Sequence, residues 1–144
     1  MLARRELSEA QVRQRLARRG HGQDAIDQAV SRLRDERAID DARVAEAIAR
    51  TETTVRRRGR LRVRLQIERS GVDKNVAAHA VDEVFAGLDA DALLESSLDR
   101  RLRGGATIAG DRELQRLYRY LIGQGFDPER VVAALKKRQR RQDP

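Results

Sequence analysis

Asp40 and Asp41 could do chemistry more readily than any other adjacent pair in this chain, because two neighbouring carboxylates can hold a metal ion or exchange protons. Neighbouring residues on a helix, however, point about 100° apart. No histidine or further acid stands at a spacing that would complete a metal site. We therefore interpret the pair as a helix cap with a favourable charge on the helix dipole.

The two histidines, His21 and His79, offer no better candidate for catalysis. Neither has a nearby serine or cysteine in a nucleophile motif. The sequence contains no cysteine, which excludes disulfides and thiolate metal sites. It also lacks a P-loop and a GxGxxG motif, the usual phosphate-binding loops. We expect a protein that is not an enzyme and that holds no cofactor or metal.

Two clusters of cationic side chains are the remaining chemical candidates. The guanidinium group binds phosphate and carboxylate through two parallel hydrogen bonds, and the net charge of +8 favours an acidic partner. We predict that both clusters bind a partner or DNA, with a solvated surface as the alternative. The central cluster comprises Arg56, Arg57, Arg58, Arg60, Arg62 and Arg64, and the C-terminal cluster comprises Lys136, Lys137, Arg138, Arg140 and Arg141.

The composition around the central cluster narrows the class of partner. Proteins that bind single strands usually add aromatic platforms for base stacking, and residues 56–64 contain no aromatic side chain. No helix stands out as a recognition helix for reading bases. The cluster therefore favours contact with the phosphate backbone or with an acidic protein surface.

The elements that position these residues repeat along the chain. Gly20, Gly71 and Gly125 lie 51 and 54 residues apart, and aliphatic residues stand eight and four positions before each glycine and ten after it. This spacing predicts a helix that ends at the glycine, which takes the left-handed conformation. The matching residues are Val12, Leu16, Ala29 and Val30; Val63, Ile67, Ala80 and Val81; and Leu117, Leu121, Ala134 and Leu135.

Each glycine unit carries two helices, and the first two units are completed by a third. These third helices follow Asp40 and Asp89, whereas the third unit ends after two helices in a basic tail. We predict an all-α fold, an elongated, curved array of three tandem three-helix, helix-turn-helix-like repeats, the third incomplete. Repeat 1 spans residues 1–55, repeat 2 spans 56–105, and repeat 3 with the basic C-terminal tail spans 106–144.

Residues 61–68 alternate strictly between apolar and polar side chains, a pattern that is typical of a β-strand. The equivalent stretches of the other two repeats have helical spacing, so we predict a helix here as well. No apolar run approaches the roughly 20 residues of a membrane span, and the start of the chain lacks the apolar core of a signal peptide. We therefore expect a cytoplasmic monomer with no membrane partner.

Five segments spread over nearly the whole chain form a series in fixed order. They are LARRELS at residues 2–8, LARRG at 16–20, IDDARVA at 39–45, the segment 56–72 that opens with RRRG and ends with GV, and GFD at 125–127. Through this series the chain resembles the RecX family of bacterial recombination regulators. No one motif is decisive, but their order and spacing together are specific.

The resemblance implies a curved array of helical repeats and a non-catalytic partner of the RecA recombinase. Such a protein lodges in the groove of the RecA–DNA filament and inhibits strand exchange, ATP hydrolysis and co-protease activity. It thereby modulates recombination, DNA repair and the SOS response, with weak backbone-directed contacts to single- and double-stranded DNA. The alternative is a general DNA phosphate-backbone binding module without a recombinase partner.

Overall fold

The computed structural model describes residues 6–102 and 107–140. These residues form eight α-helices and no β-strand, so the predicted all-α class is confirmed for this part of the chain. The helices are α1 (Glu9–Arg18), α2 (Gln23–Asp35), α3 (Asp41–Thr54), α4 (Arg60–Arg69), α5 (Lys74–Ala86), α6 (Ala90–Leu102), α7 (Asp111–Gly123) and α8 (Pro128–Arg140).

The helix ends lie where the sequence predicts them. Gly20, Gly71 and Gly125 have φ angles of 91°, 92° and 95°, so all three end their helices in the left-handed region. The Asp40 carboxylate caps α3 by accepting the backbone N–H of Arg43 at 3.2 Å, which confirms the interpretation of the acidic pair as a cap. The second carboxylate, that of Asp41, accepts the backbone N–H of Glu9 at the start of α1.

Three separate hydrophobic clusters hold the helices together, and they divide the chain into three groups. The N-terminal group is α1 with α2, the central group is α3 with α4 and α5, and the C-terminal group is α6 with α7 and α8. In the central group, Val44 and Ala49 of α3 pack against Val63 and Ile67 of α4. The helix that follows one glycine unit in sequence thus packs on the next unit.

The packing groups are therefore offset by one helix from the sequence repeats. The third glycine unit, α7 and α8, has a third helix after all, because Leu94, Leu98 and Leu102 of α6 lie in its core. Within the described residues, the group with only two helices is the N-terminal one, whose core contains Ile26, Val30 and Ile39. The unit that ends after two helices in sequence is completed in space by the helix that precedes it.

Each group is joined to the next by the start of one helix lying on the glycine turn of another. The backbone N–H groups of Gly59 and Leu61, at the start of α4, donate to the carbonyls of Gln124 and Gly125 after α7, at 2.7 and 3.1 Å. The first N–H groups of a helix and its last carbonyls lack partners within the helix, and their partial charges are opposite. This contact therefore satisfies both helix ends at once.

The same contact recurs between the N-terminal and central groups. The hydroxyl of Ser8, the N-cap of α1, donates to the carbonyl of Ser70, and Gly71 lies directly against Ala10. The two contacting helix starts, at Ser8 and Gly59, are one repeat apart.

Gly125 should be far less tolerant of a side chain than Gly20, although both have a left-handed backbone. A Cβ on Gly125 would collide with the backbone of Arg62, whereas a Cβ on Gly20 would meet no described residue within 4 Å. We expect Gly20→Ala to lower the free energy of unfolding by about 1–2 kcal/mol through backbone strain alone. Gly125→Ala should cost about 1–3 kcal/mol more through overpacking at the junction. Equal losses in urea unfolding would contradict this description of the junction.

Candidate functional site

The central arginine cluster lies at the junction between the central and C-terminal groups. The Arg57 guanidinium donates to the carbonyl of Ser96 on α6 at 3.4 Å, and that of Arg62 donates to the carbonyl of Gly123 on α7 at 3.2 Å. In return, Arg100 of α6 donates to the carbonyl of Val55 at 2.8 Å. Arg57 and Arg62 therefore help to join the two groups.

Arg58 is directed into the protein. Its side chain is 16% exposed, and a guanidinium nitrogen lies 3.2 Å from the carboxylate of Glu52, which is 6% exposed. The backbone N–H of Arg58 also donates to the Glu52 carbonyl, at 3.0 Å. The pair closes the turn between α3 and α4, and this burial removes Arg58 from the predicted binding surface.

Three arginines of the cluster, Arg56, Arg60 and Arg64, keep about half of their side chains exposed. Each has a carboxylate neighbour, which is Glu52, Asp82 and Glu68, respectively. Exposed ion pairs stabilise a fold by about 0–1 kcal/mol. A partner's carboxylate or phosphate could therefore replace these neighbours at little cost.

Helix α4 has apolar side chains on two opposite faces, a feature that the sequence reasoning missed. Val63 and Ile67 are fully buried, whereas Leu61 is 62% and Leu65 41% exposed. Residues two positions apart on a helix point about 200° apart, so the strict alternation places two leucines in solvent. The strict alternation in the sequence was the signal for the second apolar face, because a helix with a single buried face does not need an apolar residue at every second position.

The solvent side of α4 is consequently a mixed apolar and cationic surface, which we call the α4 face. Its leucines are flanked by arginines, of which Arg69 forms no ion pair with any described residue. Large apolar side chains that are exposed together mark contact surfaces more often than isolated ones do. The α4 face consists of Arg60, Leu61, Arg64, Leu65 and Arg69.

The C-terminal cluster is divided between solvent and core. Lys136 and Lys137 are exposed, whereas Arg138 is buried, with 6% of its surface accessible. Its guanidinium binds the carboxylates of Asp99 and Glu95 on α6, the latter at 2.8 Å. The hydrogen bond that Arg138 donates to Asp99 raises the pKa of Arg138 above its usual value. The Arg140 side chain and Arg141 lie outside the described residues.

Arg138 therefore leaves the predicted binding surface and acts as an internal link between α6 and α8. The repeat contained the signal for this role. Leu33 and Val84 occupy the same position, thirteen residues after the glycine, and both pack against the core of their groups. An arginine in that place faces inward, and it is tolerated because two carboxylates on α6 receive its charge.

The described residues offer neither a metal site nor a membrane span. Across residues 6–102 and 107–140, no group of three or more His, Asp or Glu side chains could hold a metal ion. No helix in these ranges is long and apolar enough to cross a membrane. The chemistry that this surface supports is binding through exposed leucines and guanidinium groups.

Known proteins share this arrangement and much of the sequence. The family description "RecX, first three-helix domain" matches residues 1–33. The Regulatory protein RecX of Halorhodospira halophila is 33% identical over 135 residues, which cover 93% of this chain and 81% of that relative. This chain belongs to the RecX family. The RecX of Chromohalobacter salexigens is likewise 33% identical over 135 residues, covering 94% and 86% of the two chains.

The fold agrees with that of a solved RecX. The crystal structure of RecX from Lactobacillus salivarius superimposes with a TM-score of 0.70 over 91% of this chain and 86% of that one, at 20% sequence identity. The relatives are named regulatory proteins, so this chain is a regulator of the RecX type.

Substitution of Arg138 should distinguish an internal link from a surface cation. We expect Arg138→Ala to lower the free energy of unfolding by about 1–2 kcal/mol, because two charge-assisted hydrogen bonds are lost. Lys137→Ala, which removes an exposed cation from the same helix, should change it by less than about 0.5 kcal/mol. Arg138→Met should recover part of the loss, since this position is apolar in the other two units. Urea unfolding measures the free energy of unfolding of all three variants. If Arg138→Ala is as stable as the unaltered protein, Arg138 is not an internal link and is again a candidate for the binding surface.

Proposed function

We propose that this RecX-family regulator binds in the groove of the RecA–DNA filament and inhibits strand exchange, ATP hydrolysis and co-protease activity. It thereby modulates recombination and DNA repair in the cytoplasm, acting as a monomer without a cofactor. The observation that carries the proposal is the α4 face. Leu61 and Leu65 are exposed between arginines on a helix whose opposite side already fills the core.

The division of the chain into groups supports binding to a filament. Three small cores in an end-to-end array present a longer surface than one compact core of the same mass, so the array can contact successive subunits of a helical assembly. Contacts that are weak individually then add, because each one raises the effective concentration of the next. A filament regulator of this kind needs no single deep pocket.

A second candidate is a general module that binds the DNA phosphate backbone. It is favoured by cations that form no ion pair with a described residue, among them Lys136 and Lys137. Arg56, Arg60 and Arg64 favour it less, because each already has a carboxylate neighbour. Exposed leucines contribute nothing to phosphate binding, so the α4 face points to a protein partner.

Removal of the exposed leucines should separate the two candidates. We expect Leu61→Ser/Leu65→Ser to raise the concentration needed for half-inhibition of ATP hydrolysis by preformed RecA filaments about tenfold or more, a loss of roughly 1.4 kcal/mol. Binding to bare DNA should stay the same, because no charge changes. Circular dichroism and thermal unfolding check that the fold is retained. If the unaltered protein leaves ATP hydrolysis constant at saturation, the filament proposal fails.

Arginines of the α4 face should matter more than arginines elsewhere on the surface. Arg64→Ala/Arg69→Ala should weaken inhibition, whereas Arg15→Ala/Arg18→Ala, which removes the same charge from exposed positions on α1, should act like the unaltered protein. Equal weakening by both pairs would favour the general DNA-binding module. In that case, the logarithm of the affinity should fall with that of the salt concentration by a slope of about 0.7–0.9 for each phosphate contacted.

A further inference from the structure

A groove between α7 and α8, on the C-terminal group, shares no lining residue with the α4 face. Its volume is about 430 Å³. The apolar side chains that line it are Leu114 and Tyr118 of α7 and Val132 and Leu135 of α8, and Arg119 and Lys136 stand among them. Leu135 is buried, and Val132 is 40% exposed.

The other two glycine units close the same groove with ion pairs. In the first unit, Arg13 lies 2.7 Å from Asp27 across the space between α1 and α2, and Arg34 binds Glu9. In the second unit, Arg60 binds Asp82 across the space between α4 and α5. Charged side chains thus bridge the paired helices in both units.

The third unit replaces every one of these bridges. Counted from the glycine, Arg13 and Asp27 correspond to Tyr118 and Val132, and Arg60 and Asp82 correspond to Leu114 and Lys136. The aromatic Tyr118 and the aliphatic Leu114 thus replace the arginines of the two ion pairs. The groove therefore stays open between the helices and is apolar where its counterparts are charged.

Both charged side chains that line the groove are cationic. Arg119 and Lys136 are its charged lining residues, and neither forms an ion pair with any described residue. Arg112 and Arg116 are exposed on the adjacent turns of α7, as is the carboxylate of Asp111. No carboxylate lines the groove to neutralise this potential.

We propose that this groove binds an acidic amphipathic helix of a partner protein. Apolar residues at helical spacing would enter between Leu114, Tyr118 and Val132, as amphipathic helices do when they bind in grooves. Glutamate or aspartate side chains on both flanks would meet Arg119 and Lys136. A nucleic acid fits less well, because only one aromatic side chain, that of Tyr118, lines the groove for base stacking.

Fluorescence anisotropy with a designed peptide tests this inference in the full chain. The probe is a labelled helical peptide with leucines along one face and glutamates on the other faces, and a second peptide carries lysine in place of every glutamate. We expect the glutamate peptide to bind saturably in the micromolar range, and more weakly as salt is raised. The lysine peptide should not bind. Equal binding of both peptides, or no saturation by the glutamate peptide, would overturn the proposal.

Variants place the binding in the groove. Val132→Asp should weaken peptide binding about tenfold or more. Leu114→Arg/Lys136→Asp, which transplants the ion pair of the second unit, should have the same effect, with thermal unfolding as the check on folding. Val55→Asp is the matched control, because Val55 is also an exposed valine, 60% accessible against 40% for Val132, and lies outside both the groove and the α4 face. It should leave peptide binding unchanged, and equal weakening by Val55→Asp would overturn the assignment to this groove.

The outcome is independent of the proposed function. If the protein does not inhibit RecA but still binds the peptide, only the filament proposal is contradicted. If it inhibits RecA but does not bind the peptide, only the groove proposal is contradicted. A single-stranded oligothymidine that binds more tightly than the glutamate peptide, and loses its affinity in Val132→Asp, would identify a nucleic-acid site and overturn the proposal.

Discussion

The backbone of Gly59 and Leu61 donates to the carbonyls of Gln124 and Gly125, and the arrangement of the helical groups depends on this contact. It is specific because polar groups at both helix ends need partners. It is close because neither glycine has a Cβ: one on Gly59 would lie 2.6 Å from the Gly125 carbonyl. The glycine that ends one helix in the left-handed conformation is thus also the glycine that lets another helix approach.

This constraint explains why so much of the arginine cluster is used internally. The segment that brings α4 onto the α7–α8 turn must cross from one group to the next, and Arg57, Arg58 and Arg62 supply donors along that path. Their guanidinium groups donate hydrogen bonds to backbone carbonyls and to one buried carboxylate. The exposed cations of the cluster are Arg56, before α4, and Arg60 and Arg64 on its solvent side, where leucines accompany them.

Local features were predictable from the sequence, whereas contacts between distant segments were not. The period of the glycines predicted the left-handed turns at Gly20, Gly71 and Gly125, and the comparison of repeats predicted a helix where alternation suggested a strand. Burial of Arg58 and Arg138 depends on Glu52, Glu95 and Asp99, whose positions are set by tertiary packing. Similarly, the sequence repeat does not specify whether a third helix packs on the helix pair before it or on the pair after it, because either arrangement buries its apolar side.

The junctions also give the molecule a direction. Each one joins a helix start to a glycine turn, so its two sides are unlike, and every junction points the same way along the chain. One glycine turn, at Gly20, and one helix start, at Gly110, have no neighbour among the described residues within 4 Å of an added Cβ, so the described array has two dissimilar ends. A partner that is itself polar, such as a helical filament of identical subunits, can then distinguish the two ways of laying the array along it, and only one of them repeats the same set of contacts.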